Sequence, residues 1–429
     1  MTRSTRVPTG AAIALAVALA AASCSADDEA SGPDGFEGRG PITYVAGADS
    51  TGLVPQIIDD WNEGHPDETV TFVELPEQAD AQRQQMIQNA QTRSDAFTVL
   101  SVDVVWTAEF AANGWIDELP RERFDLDRMM EPVVATGLYQ DRLFSVPESS
   151  DGAMLYYRTD LLAAAGVDGP PETWAEMERA CERVLALPEA GGMSCYAGQF
   201  EKYEGLTVNF AEAVGSAGGS IVDEDGTVTV DSPEARAGLD FLVGAFEDGL
   251  VPREAITYQE EQGRQAFQDG ELVFHRQWPY QYSLANADDG SSEVAGDFAV
   301  APLPGLDGPG TSSLGGHNLA ISTHAGNKAT ALDFVEYFTS EEKQLRALRE
   351  ASLAPAYEHL YDDPELIEEY PYLPVLKESV LTGVPRPRVV RYGDTTTAIQ
   401  DAAYAALTGD RTTEQALSDL QADLEALAP

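Results

Sequence analysis

The alternation between residues 42 and 106 constrains the fold most. "ITYVAGADS" (42–50) begins as a strand and runs out into small and polar residues. In "STGLVPQIIDDWNEGHP" the apolar residues Leu53, Val54, Ile57, Ile58 and Trp61 recur at helical spacing, with Ser50 or Thr51 available as the cap and Pro66 as the stop. "TVTFVEL" (69–75) alternates as a strand, the Gln-rich stretch 80–92 suits a helix, and "FTVLSVDVVW" (97–106) is a strand again. Strand, helix, strand, helix, strand implies an α/β class with a parallel sheet, because parallel neighbours need crossovers and the helices supply them.

The alternation resumes after residue 150. "TWAE" (173–176) has the form of a capping box, Thr173 as N-cap with Glu176 three residues on, and its helix is expected to run to about Leu187. "DSPEARAGLDFLVGAF" starts with Ser232 as cap and Pro233 at the first helical position. "IVDEDGTVTV" (221–230) reads as a hairpin around Asp225 and Gly226, without the twelve-residue calcium-loop pattern. Past a loop at 301–310, "NLAIS" (318–322) is a strand, and "NKATALDFVEYF" and "SEEKQLRALRE" are helices. About 390 residues follow position 40, more than one core usually serves, so two domains are expected.

The N-terminus has a different character. Arg3 and Arg6 precede a charge-free apolar run at 11–22, too short for a membrane span of about 20 residues, and no comparable run occurs later. Basic, then apolar, then small is the layout of a signal peptide, here residues 1–23. "AASC" resembles the lipobox of bacterial lipoproteins, with Ala21 where Leu is usual, and implies lipidation of Cys24. Residues 25–40 are rich in Asp, Glu, Gly, Ser and Pro and read as a flexible acidic tether. The two remaining cysteines, Cys181 and Cys195, would lie outside the cell, where a disulfide closing a loop of that length contributes roughly 3 kcal/mol. Neither has a nearby His that would suggest zinc.

With 26 basic against 73 acidic residues, the net charge is −47, a field that repels nucleic acid and anionic lipid. Only four of the basic residues are Lys, in keeping with a GC-rich genome. The five histidines, His65, His275, His317, His324 and His359, show no metal-ligand spacing, and HExxH, CxxC, Walker and GxSxG motifs are absent. No cofactor or metal is expected. With so many acids, a glycosidase-type carboxylate pair stays open on sequence alone.

"DVVWTAEFAANGWIDEL" (103–119), "LYYRTDLLAAAG" (155–166), "PETWAE", "YEGLTVNFAEAVGSAGG" (203–219), "HRQWPYQYS" and "GGHNLAIS" together resemble the extracellular solute-binding proteins of carbohydrate ABC importers, in order and across nearly the whole mature chain. The trehalose and maltose binders are the most similar in look. The resemblance implies a type II periplasmic-binding-protein-like fold: two α/β lobes joined by a hinge of two or three crossings, closing on a sugar in the cleft. It places "GGHNLAIS" back in the first lobe. Lobe 1 is then 41–147 with 311–365, and lobe 2 is 148–310 with 366–429.

Carboxylates accept hydroxyl protons, a guanidinium donates as a fork, and an indole face covers the C–H patches of a sugar ring. By the resemblance, Asp49, Asp103 and Asp151 supply carboxylates, Tyr203 and Glu204 contact or border the ligand, and Trp278 is the stacking ring, held extended by Pro279 with Tyr280 beside it. Gly316 marks close approach of backbone to sugar, and His317 stands where relatives often carry Trp. Arg386 in "VPRPRVVRY" matches the ligand arginine, with Arg388 and Arg391 as alternatives, while Trp106 reads as core. The expected protein is a monomeric lipoprotein on the outer face of the cell membrane of a high-GC Gram-positive bacterium, delivering a disaccharide or short oligosaccharide to an ABC permease. Polyols, glycerophospho-sugars and peptides are the alternative solutes, and a secreted glycan hydrolase is the alternative class.

Overall fold

The computed structural model describes residues 35–223 and 225–428. The signal peptide, Cys24 and the tether up to residue 34 lie outside the described residues. Thirteen strands are present among them: β1 (Ile42–Ala46), β2 (Val70–Glu74), β3 (Val99–Asp103), β4 (Leu138–Tyr139), β5 (Arg142–Leu143), β6 (Val146–Pro147), β7 (Asp151–Gly152), β8 (Met154–Arg158), β9 (Ser194–Ala197), β10 (Leu272–Gln277), β11 (Phe298–Ala301), β12 (Leu314–Gly315) and β13 (His317–Ile321).

The first sheet has the order β2-β1-β3-β13-β6, with β1 parallel to both β2 and β3. Tyr44 and Val45 point to opposite faces of β1 and are both wholly buried, as a central strand covered by helices on each side requires. The helix Leu53–Gly64 buries Leu53, Ile57, Ile58 and Trp61, the residues whose spacing marks it in the sequence. Its start differs from expectation. Neither Ser50 nor Thr51 is the N-cap; Gly52 is, at φ 71°, and the Asp49 carboxylate accepts from Thr51 N at 2.9 Å and Val54 N at 2.8 Å. The acid reaches over the turn because glycine opens a left-handed residue between them.

The second sheet runs β11-β8-β10-β9. All six residues of β10 are buried. The Thr173–Glu176 capping box is formed, and its helix spans Trp174–Leu185, ending two residues before Leu187. Ser232 Oγ accepts from Ala235 N at 3.1 Å with Pro233 opening the helix Pro233–Glu247. The hairpin at 221–230 is reduced to one bridge, Val222 with Val228. Cys181 is bonded to Cys195, joining the helix Trp174–Leu185 to β9 with 5.6 Å between Cα atoms.

Three segments pass between the sheets, and they pair with one another. Asp151 of β7 lies opposite Gly315 of β12, and Ser313 bridges Val384. The middle crossing returns the chain to the first sheet, where β13 runs antiparallel to β3 with His317 opposite Asp103. The helices Tyr392–Leu407 and Thr413–Leu427 then pack on Glu204–Ser216 and Pro233–Glu247.

Residues 36–40, expected to belong to the tether, are docked on the fold. Phe36 is 5 % exposed, Lys328 N and Ala329 N donate to the Glu37 and Gly38 carbonyls at 3.0 and 3.1 Å, and Arg39 reaches Glu68 and Asp333 at 2.9 and 2.8 Å. One apolar side chain and one guanidinium dock residues 36–40 onto the first sheet's helical layer, so the expected flexible segment gives way to ordered chain before residue 41.

Candidate ligand cleft

A cavity of about 610 Å³ opens between the two sheets, within the range of small-ligand pockets. Asp49, Asp103, Asp151, Tyr203, Glu204, Trp278, Tyr280, Gly316, His317 and Arg386 all line it. These positions come from both sheets, the crossings and the C-terminal part, and only the fold brings them together.

Asp103 ends β3, where α/β sheets present ligand residues. Its carboxylate accepts from Arg386 Nη2 at 2.8 Å and from Val105 N at 3.1 Å. Arg386 is 2 % exposed and also donates through Nη1 to Glu204 Oε1 at 2.5 Å, so one guanidinium joins carboxylates from the two sides of the cleft. Burial works against its charge, but Asp103, Tyr392 and Glu204 outweigh it and hold it protonated well above the ordinary range. Arg388 instead donates to the Ala135 carbonyl at 2.9 Å, and Arg391 pairs with Asp394 at 2.6 Å, which singles out Arg386.

Glu204 opens the helix Glu204–Ser216, and its two oxygens are filled by Arg386, Tyr392 Oη and Thr396 Oγ1. Burial, opposed by Arg386, pushes its pKa up to about 7. Tyr203 and Tyr280 also have partners, donating to Glu260 and Glu261, each at 2.7 Å. Asp151 is different. Its Oδ1 is buried without a hydrogen-bond partner, and burial pushes its pKa to about 6 against the pull of His317.

Gly316 has φ 105°, and a Cβ there would stand 2.5 Å from the Ser149 carbonyl oxygen. The chain's own crossing therefore demands this glycine. Trp278 follows β10, and its backbone carbonyl accepts from Tyr156 Oη at 3.0 Å. Trp106, 1 % exposed and stacked on Phe110, lies in the core.

The model of the family described as bacterial extracellular solute-binding protein matches residues 47–345. The chain belongs to this family. A probable ABC transporter-binding protein of Deinococcus radiodurans is 31 % identical over 363 residues, covering 83 % of this chain and 86 % of the relative. Maltose-bound MalE3 of T. maritima superposes with a TM-score of 0.85 at 32 % identity, covering 90 % of this chain and 99 % of that one. A tagatose-bound solute-binding protein from Thermotoga lettingae gives 0.82 at 22 % identity, with 91 % and 100 % covered, a likeness of fold. The architecture of this solute-binding protein is thus the type II periplasmic form, two lobes about a hinged cleft.

The solute-binding protein places further residues in the cleft that sequence inspection passes over. Glu148 accepts from Tyr44 Oη at 2.8 Å and Ser101 Oγ at 2.7 Å, with burial raising its pKa. Glu260 and Glu261 begin the helix Glu260–Gln268 and line the wall beside the two tyrosines. Glu148 lies three residues before Asp151, a spacing that carries no signal by itself; its partners come from β1 and β3.

Proposed function

We propose that this solute-binding protein is an extracytoplasmic, lipid-anchored receptor that captures a disaccharide or short oligosaccharide of the trehalose or maltose type and hands it to an ABC permease. The observation that carries this is the meeting of one indole face with the unfilled Asp151 Oδ1 and a fixed guanidinium around a cavity of about 610 Å³. A sugar hydroxyl both donates and accepts, and its ring carries C–H faces, so it matches all three at once. Trp278 covers a ring face, Asp151 and Asp103 accept hydroxyl protons, and Arg386 donates. Asp49, Tyr203, Tyr280, Gly316 and His317 complete the walls. Glu204, its oxygens already filled, serves by holding Arg386 in place.

The lining carries nine carboxylates against Lys343 and Arg386, and both cations are engaged, Lys343 with Glu342 at 3.2 Å. That balance disfavours a glycerophospho-sugar or other anion. The 31 %-identical relative and the maltose-bound neighbour support an importer role and a neutral oligosaccharide. Lobe 1 comprises 41–147 with 311–365 and lobe 2 comprises 148–310 with 366–429, and closure on the sugar forms the surface the permease meets. No bond is made or broken.

Calorimetric titration of the chain from residue 35 onward with maltose, trehalose, maltodextrins, sucrose, mannitol and glycerol phosphate tests this. Saturable binding of one oligosaccharide, lost in Trp278→Ala, is expected. Heat only with a polyol or a phosphate ester, or turnover of a glycoside, would overturn it.

A further inference from the structure

The indole of Trp278 has two faces, and one is covered from within the protein. The Arg276 guanidinium carbon stands 3.9 Å from the ring centroid. Arg276 is 1 % exposed and its fork is filled: Nε donates to Glu212 Oε2 at 2.7 Å, Nη2 to Glu212 Oε1 at 2.5 Å, and Nη1 to Gln199 Oε1 at 2.9 Å. Glu212 is buried in the helix Glu204–Ser216, and its Oε1 also accepts from Ser313 N at 3.0 Å. Ser313 belongs to the middle crossing, and two residues later a Cβ on Gly315 would lie 2.8 Å from Cη2 and Cζ3 of the same indole.

We propose that Arg276 and Glu212 are positioning residues for ligand capture, fixing the plane of Trp278 against the crossing segment before a sugar arrives. Three constraints converge on one ring. A planar cation stacked on its inner face sets its tilt, a bidentate carboxylate sets the cation, and the crossing backbone binds that carboxylate. The same carboxylate ties the stacking plate to a segment that crosses between the lobes. Burying an ion pair brings little net stability compared with apolar packing, which leaves geometry as its use here. A plate already immobile spares the ordering of one large side chain on binding, up to about tenfold in affinity. The assignment rests on the proposed stacking role of Trp278.

Arg276→Lys tests it, since lysine keeps the charge opposite Glu212 and loses the flat fork. The Trp278 contribution to the near-ultraviolet circular dichroism is defined as wild type minus Trp278→Ala, and maltose is the titrant. The expected result for Arg276→Lys is loss of at least half that Trp278 band and about tenfold weaker maltose binding. Arg276→Met combined with Glu212→Gln, which leaves no unpaired charge, should show the same pair of losses in folded protein. A lowered melting temperature with the band intact and affinity within about twofold would overturn the positioning role. Unchanged maltose binding in Trp278→Ala would overturn the stacking site itself, and the positioning role with it. The dichroism arm needs no sugar, so it decides whether Arg276 fixes the ring even where maltose gives no heat.

Discussion

Asp151, the proposed acceptor for a sugar hydroxyl, titrates within the range of ordinary assays. Its carboxyl, pushed to about 6 by burial, is an acceptor at pH 7.5 and largely protonated at pH 5. Oligosaccharide affinity should therefore fall as pH drops through 6, by roughly ten- to a hundredfold for a hydrogen bond to a charged group. Asp151→Asn should be weak at every pH and show a flat profile by calorimetry, whereas a wild-type profile flat from 7.5 to 5 would exclude Asp151 as the acceptor. His275 has the opposite sign. Wholly buried, with Nδ1 against Gln281 Oε1 at 2.7 Å and Nε2 unpartnered, it is lowered by burial to about 3. Below the unfolded value of about 6.5 the unfolded chain takes up a proton that the fold refuses, so stability is full above about 6.5 and is lost toward 3, on the order of 4 kcal/mol. Glu204 and Asp151, whose folded values are raised to about 7 and 6, oppose this by gaining protons in the fold over the same descent. Comparing His275→Gln with wild type in urea from pH 7 to 4 isolates the term: the variant should lose stability less steeply, and parallel slopes would rule the histidine out.

Elements were legible in the sequence wherever their signal is local. Helical spacing from Leu53 to Trp61, the capping box at Thr173 and the N-cap at Ser232 need only neighbours within a few residues, and they appear as read. The N-cap at Gly52 was not legible, because it depends on a left-handed residue that composition does not announce. Docking of residues 36–40 was hidden for a related reason: a single Phe in acidic, small-residue sequence gives no periodicity, and the partners of Glu37, Gly38 and Arg39 lie at 68 and 328–333. The disulfide belongs to this scale. It ties a helix to an edge strand outside the cleft, so Cys181→Ser with Cys195→Ser should lower unfolding free energy by about 3 kcal/mol while leaving sugar affinity within about twofold. Urea denaturation with parallel titration checks both halves, and a large affinity loss would place the bond in the path of closure.

At the scale of the molecule, the site is a property of topology. Asp103 and Arg386 are 283 residues apart, and Arg386 and Glu204 are 182 apart, yet one guanidinium joins them where the crossings meet. Resemblance to known binders pointed to the ten lining positions, but no periodicity or spacing within the chain would have assembled them. Glu148, Glu260, Glu261 and the Arg276–Glu212 pair went unread because each is one acid or base among many in a chain of net charge −47. Only their burial and partners distinguish them. The proposed holding of a sugar between the lobes against Trp278 is decided by a crystal structure of the chain grown with maltose. A ring face should lie on the outer side of the Trp278 indole with a hydroxyl donating to Asp151 Oδ1, while maltose density outside the cleft, or within it but away from Trp278, would exclude that arrangement.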